Sequence, residues 1–207
     1  NDAVNVDAFY TTISEDSVND IDQTFNGVYA TLKQLVPNNT LDVYFLHQND
    51  GAAMTMYTLG ARLAGAVAGV DYTVEVPFQF GDASATNDIS AYAFAAKAGY
   101  TIPTPMKIRV GAEVDYGSGD DNTGDTDNET WTDIYPTNHG HFGIGDVVNS
   151  WSNLFAWSVN ASADINEKTK VAVAYWSYTM NEVSTAGDPD DLGSEIDAIV
   201  THKYNNA

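Results

Sequence analysis

The sequence predicts an all-β, antiparallel transmembrane β-barrel of about ten strands, on three observations: strict two-residue alternation over long segments, connections that switch between short and long, and rings gathered near segment ends. The strongest alternation runs from Val70 to Phe80, where Val70, Tyr72, Val74, Val76, Phe78 and Phe80 face away from Asp71, Thr73, Glu75, Pro77 and Gln79. Successive side chains of a strand point to opposite faces, so this is a strand with one apolar and one polar face. Met106 to Tyr116 repeats the pattern, with Lys107, Arg109, Glu113 and Asp115 on the polar side, and Phe155 to Ile165 does so again. Weaker copies begin near Val4, Phe25, Leu41, Met54, Ile89, Val171 and Ser194.

Segment length separates a membrane barrel from a sandwich, because sandwich strands run to about five or six residues and membrane strands need about 9–11. The clean segments here are of the longer kind. Short turns are expected at Val36–Asn39, Ala68–Gly69, Ile102–Pro105 and Asn166–Lys168, and long loops at 14–24, 47–53, 81–88, 117–153 and 181–193. Short connections on one rim and long ones on the other is the sidedness of an outer-membrane barrel. The aromatics Phe78, Phe80, Tyr92, Phe94, Tyr116, Phe155, Trp157, Trp176 and Tyr178 fall toward the long-loop rim, and Tyr72 and Tyr100 toward the other, as two interfacial girdles. Two irregularities stand out. Pro77 cannot donate to a ladder, so a bulge or local break is expected there. Lys170 to Met180 is apolar on both faces, which suggests that its inner face meets an inserted loop.

The 207 residues carry 29 acidic and 8 basic side chains, a formal charge of −21. That excludes a phosphate-binding surface, which needs a Lys/Arg stripe, and nucleic acid with it. Without cysteine there is no disulfide framework, thiolate metal site or Cys nucleophile. The most apolar stretch, Leu59 to Val70, is interrupted by Gly60, Arg62, Gly65 and Gly69, so no helix of about 18 apolar residues is present to span a bilayer. Most of the acids and none of the bases lie in the five long loops, which places an acidic vestibule over a nearly neutral wall and favours cations at the external mouth. The chain is expected to form one barrel region over 1–207 with a long acidic extracellular loop at 117–153. Asn205-Asn206-Ala207 reads as a turn before a further strand, so the chain is expected to be a fragment of a larger barrel.

By alternation the inward faces offer Arg62, Lys97, Lys107, Arg109, Lys203 and Lys33 against Asp42, Asp71, Glu75, Glu113, Asp115, Asp164, Glu195 and Asp197. Opposed rows of charge in a pore orient a solute, whereas on a wet wall they satisfy one another across strands. Asp120, Asp121, Asp125 and Asp127, with Gly119 and Gly124 between them, are the Ca²⁺ candidates; the run does not fit an EF-hand, and a solvated acidic loop is the plainer reading. Tyr135, His139, His141 and Phe142 belong to an aromatic, glycine-rich stretch expected to fold inward and narrow the pore. His139 and His141 lack a third defined ligand nearby in sequence and read as loop hydrogen bonders rather than a zinc site. Gly117-Ser118-Gly119 lacks the spacing of a nucleophile elbow, and no enzyme constellation or cofactor is expected.

The residues Leu41-Asp42-Val43-Tyr44-Phe45, Thr58-Leu59-Gly60-Ala61-Arg62-Leu63, Ile89-Ser90-Ala91-Tyr92-Ala93, Gly111 to Asp121, Tyr135 to Gly143 and Gly193 to Asp197 resemble the alginate export family of outer-membrane β-barrels. The resemblance spans most of the chain. It implies a monomeric channel in the outer membrane of a Gram-negative bacterium, surrounded by lipid and lipopolysaccharide, passing a hydrophilic or anionic solute such as a polyuronate through a lumen lined with Arg and Lys. The inward faces here depart from such a lining, because carboxylates outnumber the cations, and an anion pathway needs a net positive constriction. The rival readings are a surface barrel whose acidic loops bind Ca²⁺, polysaccharide or a protein, and a soluble acidic β-protein.

Overall fold

A computed structural model describes residues 3–15, 22–33, 38–135, 140–183, 187 and 189–204. Among the described residues eleven strands form one sheet: β1 (Val4–Ser14), β2 (Gln23–Lys33), β3 (Asn39–Asn49), β4 (Thr55–Val67), β5 (Val70–Asp82), β6 (Asp88–Thr101), β7 (Arg109–Gly117), β8 (Asp127–Asn128), β9 (Leu154–Asn166), β10 (Thr169–Met180) and β11 (Asp191–His202). The ten long strands follow one another in chain order as an antiparallel meander, and the two-residue β8 pairs parallel to β6. Among the described residues no ladder joins β1 to β11, so the architecture is a barrel-like antiparallel sheet.

The alternation sorts the faces as expected. In β9, Val159 is 51% exposed while its neighbour Ser158 is 1% exposed. Leu59, Phe78, Val110 and Val173 share the exposed outer face, whereas Asp42, Gln79, Asp115 and Glu195 are buried on the inner one. Near the loop-side rim the outer face carries stacked rings: Phe45 on Tyr57 at 5.8 Å, Tyr57 on Phe80 at 5.5 Å and Tyr92 on Tyr116 at 5.4 Å between centroids. Trp176 and Tyr178 do not join them. Both are buried on the inner face, because β10 has something to pack against there.

Ala68 and Gly69 both have positive φ, 51° and 86°, the backbone of a two-residue I′ hairpin whose twist matches the strands it joins. The turn between β6 and β7 is longer than the sequence suggests. Lys107 sits in the left-handed region at φ 43°, the Ile102 N–H donates to Ile108 O at 2.8 Å, and the strand begins only at Arg109. Pro103 and Pro105 have no N–H for a ladder, which is why the alternation from Met106 overruns the real strand. This connection, 102–108, outlasts those at 50–54 and 83–87, so among the described residues the rims are sorted less strictly than expected; the long connection at 118–153 stands apart.

The break at Pro77 is present. The β5–β6 ladder pairs Glu75 with Ala95 and resumes at Phe78 with Tyr92, in unchanged register, with no pairs at Val76 and Pro77. Against β4 the same proline stays in register opposite Gly60. No helix of the described residues is long and apolar enough to cross a membrane, which does not bear on crossing by strands.

Candidate functional site: a loop held against the inner face

Register brings distant residues side by side on the inner face. One row runs Lys97, Glu113, Ser158, Trp176, Glu195 across β6, β7, β9, β10 and β11. The next row toward the loop rim runs Ala95, Asp115, Ala156, Tyr178. The described parts of the connection between β7 and β9, residues 118–135 and 140–153, lie against this surface.

Its entry is fixed at Ser118. That residue donates its N–H to Tyr92 O (2.9 Å), accepts the Tyr92 N–H on Oγ (3.0 Å), and donates its hydroxyl to Glu129 O (2.5 Å). The Trp131 indole then packs on Ala91 and Ala93, whose methyl side chains leave room for a ring against the sheet. Gln79 of β5, fully buried, clamps the next residue from both sides: its Nε2 donates to Thr132 O (2.7 Å) and its Oε1 accepts the Thr132 N–H (3.0 Å). Asp133 ties the two tryptophans together, accepting from Trp131 Nε1 at 3.2 Å and from the Trp151 N–H at 3.2 Å.

The far part of the loop docks on β10 and β11. Phe142 packs into the cluster of Leu154, Ala156, Trp176 and Tyr178, and the Tyr178 hydroxyl donates to Phe142 O at 2.7 Å. Glu195 Oε1 accepts the N–H groups of Ile144 (2.8 Å) and Gly145 (2.5 Å), two charge-assisted bonds of the stronger kind. Gly143 permits the approach: its φ is +82°, and a Cβ there would stand 2.5 Å from Glu195 Oε1. At the other end Tyr135 lies 5.1 Å from the Phe25 ring of β2. One loop therefore touches β2 and β11, and the sheet curls around it. The inner face of Lys170–Met180 does meet an inserted loop.

His141 sits between two carboxylates of β7, its Nδ1 2.8 Å from Glu113 Oε1 and 3.4 Å from Asp115 Oδ1. Burial alone lowers the imidazole, but hydrogen bonding and charge from Asp115 and Glu113 outweigh it and raise His141 to about 9. Elsewhere the wall charges pair. Arg62 bridges Asp42 (3.3 Å) and Glu75 (3.8 Å), Arg109 grips Asp71 with two nitrogens (2.6 and 2.9 Å), and Lys97 lies 3.6 Å from Glu113. Between loop and wall is a cavity of about 330 Å³ lined by Tyr29, Tyr44, Glu75, Trp131, Asp133 and Trp151 among others.

Of the inward-facing residues expected from alternation, Arg62, Glu75, Lys97, Arg109, Glu113, Asp115, Glu195 and Asp197 lie on the inner face. Lys107 does not; it is exposed in the β6–β7 turn. Lys203 is exposed past the end of β11, its N–H bonded to Lys168 O at the turn-side rim. His141 and Phe142 fold inward and Tyr135 reaches Phe25, while His139 and the segment 205–207 lie outside the described residues. Of the Ca²⁺ candidates, Asp120 and Asp121 come within 4.8 Å of Glu129 instead of Asp125 and Asp127. Asp125 is turned to local bonds with Asn122 Nδ2 and the Asp127 N–H, and Asp127 joins β8. Partial burial, then the charges of Asp121 and Asp120, push the Glu129 carboxyl up. Gln79, Trp131, Asp133 and Trp151 were not legible as site residues. The only local hint was two tryptophans inside an acidic loop.

An antiparallel sheet with an apolar outer face, a charged inner face and a loop packed against that inner face defines a barrel-like all-β protein. The chain belongs to the alginate export family, which it matches over residues 6–188, a family of outer-membrane-associated β-barrel export proteins. No curated protein matches the chain.

Proposed function

We propose that the chain forms part of the wall of an outer-membrane channel for passive passage of hydrophilic solutes, and that the loop 118–153 is its constriction. The observation that carries this reading is the loop itself, bonded to Gln79, Tyr178 and Glu195 on the polar face while the apolar face is left exposed. Outward Val, Leu, Phe and Trp suit hydrocarbon contact, and the inner face suits water. Arg62, Lys97 and Arg109 each sit in an ion pair, which weakens them as attractors of a polyanion and favours a general hydrophilic solute over a polyuronate.

The test is single-channel conductance of the full-length protein in a planar bilayer, compared with a variant in which residues 140–145 are replaced by a short Gly-Ser linker. The variant is expected to conduct several times more than the parent. Silence from both would sink the channel reading, and equal conductance would remove the loop from the pathway.

A further inference from the structure

Two carboxylates of β7 and one imidazole of the loop converge on the inner face. Glu113, Asp115 and His141 each bring a ligand-type atom within 4.8 Å of the others. Asp115 is 0% exposed, and beyond the His141 Nδ1 at 3.4 Å its carboxylate oxygens have no donor, although an ionised carboxylate buried with so little compensation is costly. Glu113 stands two residues away on the same face and adds a second negative charge. Lys97 answers Glu113 at 3.6 Å and is itself half-exposed, and it gives the Asp115 oxygens no hydrogen bond.

We propose that Glu113, Asp115 and His141 form a binding site for a first-row divalent cation, with Zn²⁺ the best fit. Bonds of about 2.0–2.1 Å to nitrogen and oxygen set ligand–ligand edges of about 2.9 Å at octahedral angles and about 3.4 Å at tetrahedral ones. The edges from His141 Nδ1 are 2.8 Å to Glu113 and 3.4 Å to Asp115. A nitrogen with two carboxylates favours Zn²⁺ over Ca²⁺ or Mg²⁺, which take oxygen ligands throughout, and over Cu(I), which takes sulfur. Three protein ligands leave a fourth position for water. The rings of Phe142 and Trp151, 5.9 and 4.9 Å from the imidazole, supply an apolar shell that strengthens the charge interactions inside it. The carboxylates that would hold a proton on Nδ1 hold a cation in its place, with the imidazole neutral and its proton on Nε2. Bound metal would fasten the loop to the strand wall.

Binding can be read without reference to conductance. The full chain, purified in detergent without a polyhistidine tag and stripped with a chelator, is titrated with Zn²⁺ by calorimetry. One tight equivalent is expected, and His141→Ala and Asp115→Asn should each weaken it by about tenfold or more. Glu129→Gln, in the separate acidic cluster, should leave it unchanged. Co²⁺ in place of Zn²⁺ should give visible d–d absorption that His141→Ala abolishes. His141 lies in the loop, so its variant decides the matter even where Asp115→Asn fails to fold. No tight equivalent in the parent, or one that survives His141→Ala, would overturn the site.

Discussion

β1 and β9 have the same alternating design and opposite fates. Along β9 the first residues alternate between buried and exposed, while in β1 nearly every residue is exposed on both faces. The difference is the loop: Phe142 packs on Leu154 and Ala156 of β9, and no core cluster of the described residues includes β1. Period-two patterning thus decides which face a side chain takes, and the loop decides whether that face is dry. Burial on β6, β9 and β10 is a tertiary property, made by Trp131, Phe142 and Trp151 of the loop.

That contrast can be broken most severely at Gly143. In Gly143→Val a β-branched residue would have to hold a left-handed φ and occupy space taken by Glu195, a cost of about 2 kcal/mol or more. The expected outcome is a loop released from β10 and β11, seen as fast cleavage between 135 and 150 by a protease that leaves the parent intact. Unchanged protection would show that the Gly143–Glu195 approach does not hold the loop. Gln79→Leu is expected to cost about 1–3 kcal/mol, because it strips both partners from the Thr132 backbone in a buried place. Faster hydrogen exchange at the Thr132 amide, with the exchange of β1 unaltered, would report it. The smallest effect belongs to β1, where Tyr10→Ser should change the unfolding free energy from urea titration by no more than about 0.5 kcal/mol, since Tyr10 is 69% exposed. A large shift there would mean that the outer end of the sheet bears load independently of the loop.

The fold was legible where the information is local. Val70, Tyr72, Val74 and Val76 announce a strand and its outer face without reference to any other segment, and Ala68-Gly69 announces the turn before it. Local reading failed where alternation outlived the strand, as at Lys107 behind two prolines. It also failed for the girdle: Trp176 and Tyr178 read as rim aromatics, although the two apolar faces of their strand correctly pointed to an inserted loop. The site is mostly non-local. Gln79 and Thr132 are 53 residues apart, Glu195 and Gly145 are 50 apart, and His141 is 28 from Glu113. A histidine that seems to lack a third ligand along the chain acquires two carboxylates only when β7 passes beneath it.

The unpaired stretch at Val76 and Pro77 has a mechanical meaning. Elsewhere, widening the wall between neighbouring strands requires backbone hydrogen bonds to be broken first, and each leaves a donor and an acceptor to be satisfied. At the β5–β6 seam that work is already done, because the ladder skips from Glu75 to Phe78 while its register holds on either side. Pro77 and Ala93, on the two flanks of the seam, both line the cavity under the loop. Beside the cavity, separating these two strands therefore costs fewer backbone hydrogen bonds than elsewhere along the seam, while the ladder on either side keeps the sheet in alignment.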